Sequence, residues 1–464
     1  MFNFLRFRWV IFLLCPLMVA LAGNSSATVF ASTDEPIVVL VTLDGFPNYV
    51  LQDPTAVIPN LRRLRSQGFS PLGGMEVSNP STTWTNHTTL VTGVPPSRHG
   101  VLFNGKLRFD ADGLPSRPDP TAPRSELVHA PMLFEAAHSA GMRTGAINWP
   151  CTRDATGLDD SWPDTPESIV HMTPRLRDEL RSAGILRPED KSDLRAYFGA
   201  GRDALRIEAA CHLLKHRPPR LLLIHLTNTD GIQHEYGPDT PAAATAFAWA
   251  DTLIGRLLDT IDSAGLRART TLIVTADHGF TAPEKTLVPD QVLIEAGFNP
   301  GPAREGTSRP RVRVLGGGGY ASIYFFTPPT ADQMADLSRR FRAMPGVAEV
   351  VTPEHFAKWG FPDPASNRDM GSLVLFAEDF HAFGAGKTAS TWAMPRPPEA
   401  NRGVHGGLSM QPKLHALFIA VGPQVAVGAP EGAVAVLDVA PTIARLLQID
   451  FPSAHARPIA DIVR

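Results

Sequence analysis

Cysteine is scarce, with three in 464 residues. Cys15 lies inside an apolar run near the start, without the small residues that precede a lipidated cysteine, so no lipoprotein anchor is expected. Cys151 and Cys211 belong to no Cys-x-x-Cys pair, which argues against a thiolate zinc site or a dithiol redox centre. An oxidising compartment would permit a bridge between them, and the sequence leaves pairing or no pairing open. A dominant sign of charge is also missing. The formal net charge is -3, with 19% charged residues, so no polybasic field points to nucleic acid or to an anionic membrane surface. Internal repeats and a low-complexity tail are absent.

The N-terminus departs from this pattern. Arg6 and Arg8 give a basic start, residues 9–23 are almost unbroken apolar sequence, and small residues follow (Ser25, Ser26, Ala27, Ala31, Ser32). That order reads as a secretory signal peptide over residues 1–31. The run is short for a membrane span, which needs about 20 residues. The expectation is an exported protein, periplasmic or secreted, with no stable transmembrane domain after processing. Its alternative is an uncleaved N-terminal anchor.

Proline (43) and glycine (38) are plentiful, which suits a loop-rich enzyme better than a helical bundle. Three short apolar runs share one design. Residues 37–43 end in Asp44-Gly45, residues 221–226 end shortly before Asp230, and residues 271–276 end in Asp277-His278-Gly279. Each has strand length and does not alternate, as expected of strands buried on both faces. Helical patterns lie between them at 60–67, 131–141 and 240–265, and residues 436–447 read as a closing helix. The expected fold is α/β, a mostly parallel central sheet with helices on both faces. Residues 32–464 read as a single catalytic domain carrying a small α+β insertion at about 316–361, and the Pro-rich stretch 154–192 as a second excursion near the site. In such sheets ligands bind beyond the carboxyl ends of the strands, and all three runs place acid or imidazole side chains there.

Asp44, Asp230, His234, Asp277, His278 and His405 are the candidate cation ligands. Asp230 and His234 are four apart, on one face of a helical turn. His405 sits in Gly403-Val-His-Gly-Gly407, a flexible frame that lets backbone approach closely. Six nitrogen and oxygen ligands in two sets of three make two open zinc sites. Such pairs sit about 3.5–4 Å apart and stabilise both oxygens of an in-line displacement. The segment Pro80-Ser-Thr-Thr-Trp-Thr-Asn-His-Thr-Thr-Leu-Val-Thr-Gly93 precedes and enters a helix. A hydroxyl there would become a competent nucleophile beside a cation, and the helix start would offer N–H groups to a phosphoryl oxygen.

The order Asp-Gly, Ser-x-Thr-x-x-Asn-His, Thr-Gly-x-x-Pro-x-x-His-Gly, Asn, Asp-x-x-x-His, Asp-His-Gly and x-His-Gly resembles the alkaline phosphatase superfamily. Within it, the chain resembles most the type I phosphodiesterase/nucleotide pyrophosphatase group, from about Val38 to Asp438-Val-Ala-Pro-Thr442. The resemblance implies an alkaline-phosphatase-like fold and a two-zinc hydrolase of small-molecule phosphate esters, with no nucleic-acid partner. It implies Thr83 as nucleophile, forming a covalent phosphoryl or nucleotidyl intermediate. Asn104 would donate to the phosphoryl oxygen, together with backbone N–H at Thr83 or Trp84. Asp230, His234 and His405 would hold one zinc; Asp44, Asp277 and His278 the other, which also binds the Thr83 oxygen. Trp84 and Trp149 would lie against the substrate, and Arg153 is a candidate partner for a monoester dianion. Thr85 stands where the nucleotide enzymes usually have Pro, and Trp149-Pro-Cys-Thr-Arg153 lacks their small and acidic continuation. Both departures bear on nucleotide specificity rather than on mechanism.

Three alternatives remain open at this point. A phosphonoacetate hydrolase would use a similar nucleophile segment and a pair of lysines, of which only Lys106 lies near the motif. A phosphomonoesterase would use Arg153. A non-catalytic binding protein on the same scaffold would have lost a ligand or the nucleophile, yet all eight expected side chains are present.

Overall fold

The computed structural model describes residues 35–111, 113–194, 197–300, 311–384, 393–397, 400–452 and 455–464. The expected signal peptide lies outside them.

Successive side chains of a strand point to opposite faces, so a strand buried at every position needs cover on both sides. Ile37–Leu43, Leu221–Leu226 and Thr270–Thr275 are buried at every position. Ile37–Leu43 lies between the other two and parallel to both, with Val38 opposite Leu221 and Ile37 opposite Thr270. Thr144–Trp149 and Asp160–Pro163 extend the parallel sheet beyond Leu221–Leu226. The antiparallel strand Phe418–Val421 closes the other edge, completing a six-stranded sheet. Helices Gly199–His216 and Pro241–Ser263 pack on each other, and Gly199–His216 lies on the sheet. A separate group, Thr83–Thr92 with Val439–Leu447, packs together, and Val439–Leu447 touches the central strand. Pro241–Ser263 starts as its sequence suggests. The Thr240 hydroxyl accepts the Ala243 N–H at 3.3 Å, and Pro241 needs no partner for the N–H it lacks.

A second, antiparallel sheet runs in the order Val312–Gly317, Tyr320–Phe325, Leu373–Ala377, Val347–Val351. Helix Ala331–Arg342 covers it, and Ile323, Leu337, Phe341, Val350 and Leu375 share its core. Its first hairpin meets the His405 loop through bare backbone. The Gly319 N–H donates to His405 O at 2.7 Å, and a Cβ on Gly318, held at φ +64°, would sit 2.4 Å from that same oxygen. Only glycine allows this approach.

Cys151 and Cys211 are both buried and unpaired. Among the described residues no helix is long and apolar enough to cross a membrane.

Candidate active site and metal centre

The sheet delivers its polar side chains at one edge. Asp44 follows its strand directly, and its N–H continues the ladder to Leu226 O at 2.8 Å. Asp277 and His278 follow the neighbouring strand. The Leu221–Leu226 strand leads into helix Asn228–Tyr236, which carries Asp230 and His234 one turn apart. His405 arrives on the Gly-flanked loop.

The six expected ligands fall into two groups. Asp44, Asp277 and His278 offer atoms within 4.8 Å of one another, all in buried side chains, and Asp230, His234 and His405 do the same in partly buried ones. The groups adjoin, because the His278 and His405 rings stack at 3.7 Å with 11° between their planes.

The protonation pattern within them is legible. His278 Nδ1 lies 3.1 Å from Gly279 O, His234 Nδ1 2.9 Å from Gly403 O, and His405 Nδ1 2.9 Å from Ser81 O. A carbonyl only accepts, so each Nδ1 carries the proton and each Nε2 presents a lone pair. At His234 this requires the Asn401 amide, 3.1 Å from the same nitrogen, to turn its oxygen there. The lone pairs face carboxylate oxygens. His278 Nε2 is 3.2 Å from Asp277 Oδ2 and 3.5 Å from Asp44 Oδ1. Asp230 Oδ1 is 3.3 Å from His234 Nε2 and 3.7 Å from His405 Nε2. Asp44 Oδ1, Asp230 Oδ1 and Asp277 Oδ2 are buried without a hydrogen-bond partner.

Acceptors facing acceptors in a buried site lack a positive charge. In the Asp44, Asp277 and His278 group the titration behaviour of the bare side chains says the same. Burial, then the Asp230 charge, pushes Asp44 well above the usual carboxylate range, and burial, then the Asp44 charge, does so for Asp277. Burial and the neighbouring His405 push His278 well below the usual imidazole value. His405 falls to about 4 through burial and His234. In the other group burial opposes charge on both partners, but the His234–Asp230 attraction wins, raising His234 and lowering Asp230. Nitrogen and oxygen donors in sets of three suit a borderline divalent ion such as zinc. The residues present therefore fit two such ions.

Thr83 is the first residue of helix Thr83–Thr92, and its Oγ1 lies 3.5 Å from His278 Nε2. The Trp84 N–H donates to Asn104 Oδ1 at 3.0 Å. Of the two expected backbone donors, Trp84 N–H is thus already engaged, and Thr83 N–H has no partner within its own helix. Fixing the Asn104 oxygen on Trp84 leaves the exposed Asn104 NH2 free to face a ligand.

A cleft of about 410 Å3 opens beside Trp84 and Asn104, and Trp162, Asp164, Glu167 and Arg206 also line it. Trp84 is pinned in its wall by an Nε1 bond to Asp164 Oδ2 at 3.3 Å. Two expected substrate contacts lie elsewhere. Trp149 is fully buried, edge-on to His87 at 4.8 Å, and so faces the core rather than the cleft. Arg153 donates to the Thr121 carbonyl and pairs with Asp154 at 3.4 Å, which ties the guanidinium to the 119–123 segment and to its neighbour. Lys106 is held by Asp369 at 2.9 Å.

Two buried histidines were not picked out as site residues. His87 lies beneath Thr83, with Nδ1 2.8 Å from Thr83 O and Nε2 2.8 Å from Thr42 Oγ1. His225 Nε2 lies 2.9 Å from Asp44 Oδ2. For His225 a polar ring inside an otherwise apolar run was the available signal, since a buried imidazole needs partners; His87, amid Thr and Asn, carried none.

A family model described as type I phosphodiesterase / nucleotide pyrophosphatase matches residues 38–394. Ectonucleotide pyrophosphatase/phosphodiesterase family member 3 of Rattus norvegicus is 24% identical over 397 residues, which cover 84% of this chain and 39% of that protein. Venom phosphodiesterase 2 of Crotalus adamanteus is 23% identical over 258 residues, covering 56% and 28% respectively. The chain thus spans about two fifths of the rat relative's length. Among solved structures, human ectonucleotide pyrophosphatase / phosphodiesterase 5 superposes with a TM-score of 0.67 at 20% identity, over 92% of this chain and 100% of that one. An inactive variant of the murine protein, in complex with AMP, gives 0.67 at 19% identity over 93% and 100%. At these identities the superpositions establish the fold.

Proposed function

Because the chain belongs to the type I phosphodiesterase / nucleotide pyrophosphatase family, we propose that it is a metal-dependent phosphoric ester hydrolase whose nucleophile is the Thr83 hydroxyl. Asp44, Asp277 and His278 hold one zinc ion, together with the Thr83 oxygen, and Asp230, His234 and His405 hold a second. One observation carries this reading: three buried carboxylate oxygens without partners face three imidazole lone pairs, with Thr83 Oγ1 beside them. When bound, such a pair of ions lowers the pKa of a hydroxyl and stabilises the charge on the attacking and leaving oxygens.

The chain's own residues do the rest. The helix start and the His87 bond to the Thr83 carbonyl fix the direction of the Thr83 side chain. Thr83 Oγ1 forms a bond to phosphorus as the bond to the leaving oxygen breaks, giving a phosphoryl or nucleotidyl ester of Thr83. Water then cleaves that ester and restores the hydroxyl. Asn104 NH2 and the Thr83 N–H donate to the non-bridging oxygen as its charge develops.

The cleft supports a diester. A diester replaces one anionic oxygen of a monoester with an ester group, and Trp84 and Trp162 offer that group an aromatic wall. The cations that competing readings rely on are occupied elsewhere, Arg153 at Thr121 and Asp154, Lys106 at Asp369. AMP in the similar murine protein supports a nucleotide as one substrate class. Comparing kcat/KM for a methyl aryl phosphodiester with that for the matching aryl monoester tests the assignment. A diester preference is expected; a clear monoester preference would make this a phosphomonoesterase. Residues 1–31 support export, for which N-terminal sequencing of the fractionated protein should find a chain lacking Met1.

A further inference from the structure

His225 is the fifth residue of the strand Leu221–Leu226 and is fully buried among leucines and isoleucine. Its register places it beside Thr42, two residues before Asp44. Nε2 lies 2.9 Å from Asp44 Oδ2, an acceptor, while Nδ1 lies 3.0 Å from the Asn148 carbonyl and 3.4 Å from the Asn148 amide nitrogen, which can donate to it, so the tautomer with its proton on Nε2 satisfies Asp44. Asn148 is bent to supply that oxygen. It takes a left-handed φ of 57°, which side chains other than glycine rarely adopt, at an irregularity in the pairing of Thr144–Trp149 with Asp160–Pro163. Its amide also reaches back to His225 O at 3.3 Å. On its other side the His225 ring leans on His87 at 4.1 Å between centroids.

The consequence falls on Asp44. One carboxylate oxygen is occupied by His225, and the other, without a partner, faces His278. A leucine would satisfy the fold at this strand position, as it does at four of the six. An imidazole there needs a reason.

We infer that His225 is a positioning residue for the Asp44/Asp277/His278 metal site: by holding Asp44 Oδ2 it fixes the carboxylate plane and presents Oδ1 alone to the ion. The inference rests on the two-metal reading above. Hydrogen-bonded partners of this kind set ligand orientation, and their loss typically costs about 10–100-fold in metal affinity.

The test separates holding Asp44 from filling space. The Gln side-chain nitrogen lies near where His places Nε2, and that of Asn near Nδ1. His225→Gln therefore keeps a donor at Asp44, and His225→Asn keeps a polar group beside Asn148 but loses the donor at Asp44. Each protein is stripped of metal and titrated with zinc against a chromophoric chelator, with Asp277→Asn and Asp230→Asn assigning the two affinities. The expected result is a roughly 10–100-fold weakening in His225→Asn of the affinity that Asp277→Asn removes, with the other within about twofold. His225→Gln should stay close to wild type, and both variants should melt within a few degrees of each other. Equal affinities in the two variants, or equal weakening of both sites, would overturn the positioning role. A wild-type protein that binds fewer than two ions would instead overturn the two-metal reading.

Discussion

Replacing Asp277 with Asn changes one carboxylate oxygen into an NH2 group and little else in shape. Asp277 Oδ1 accepts the Gly45 N–H at 3.0 Å, and an Asn oxygen can keep that bond. The altered atom is Oδ2, buried, without a hydrogen-bond partner and 3.2 Å from the lone pair of His278 Nε2. In the metal-free protein, at pH where Asp277 is ionised, the substitution turns two opposed acceptors into a donor and an acceptor. Relieving one unsatisfied buried polar atom is worth about 1–3 kcal/mol. For a body of about 430 residues the unfolding entropy is roughly 0.9 kcal/mol/K, so the metal-free variant should melt about 1–3 °C above metal-free wild type. The sign of the pH dependence follows from the raised pKa of Asp277, which burial and Asp44 cause. The folded wild-type protein binds a proton there that the unfolded chain has released. That contribution is present below the unfolded value and is lost as pH rises through the folded one. Asn has no such loss, so the variant's advantage should grow with pH over that window. Zinc reverses the order. Each site filled at about 100 times its dissociation constant adds about 2.7 kcal/mol, roughly 3 °C here. Wild type should gain about 6 °C and the variant about half of that. Scanning calorimetry in chelator and in zinc, at several pH values, reads all of these. A variant that melts below wild type in chelator, or gains as much from zinc, would refute the reasoning and make Asp277 a structural acid.

Further outcomes follow from the same geometry. Thr83→Ala should abolish turnover while metal content, measured by elemental analysis, stays near two per chain; Thr83→Ser should keep partial activity because it retains the hydroxyl. Asn104→Ala should lower kcat by about 10²–10³-fold, the usual cost of one oxyanion donor, with a smaller change in KM. Arg153→Ala should leave kcat/KM for a diester within about twofold, since the guanidinium serves Thr121 and Asp154.

The sequence exposed those elements whose burial is written in composition. The runs at 37–43 and 221–226 became strands with those bounds, because interior parallel strands tolerate little but branched apolar residues. Thr144–Trp149 was not legible. It carries Gly145 and Asn148, and Gly145 is there because a Cβ would come within 3.1 Å of Leu222. Helix Gly199–His216 was also missed. It opens on Gly-Ala-Gly and buries Asp203 and Arg206, whose ion pair at 2.8 Å hides polar residues inside. The insertion was read as 316–361, but its sheet takes Leu373–Ala377 between two strands of that region, a long-range pairing no local pattern encodes. At the site, the candidate ligands were legible as acids and imidazoles at or just past strand ends, and the fold brings them into two groups of three. Side-chain direction was not: Trp149 faces the core and Arg153 reaches the Thr121 carbonyl, and both depend on packing distant in sequence.

The central claim is that Thr83, rather than water, attacks phosphorus first. Each in-line displacement inverts phosphorus, so two steps through a Thr83 ester retain configuration and a single attack by water inverts it. A phosphodiester made chiral at phosphorus with sulfur, hydrolysed in 18O-labelled water, reports the difference. The account predicts net retention, with a phosphorylated Thr83 peptide recovered by mass spectrometry after rapid quenching in acid. Net inversion, with no adduct on Thr83, would contradict it.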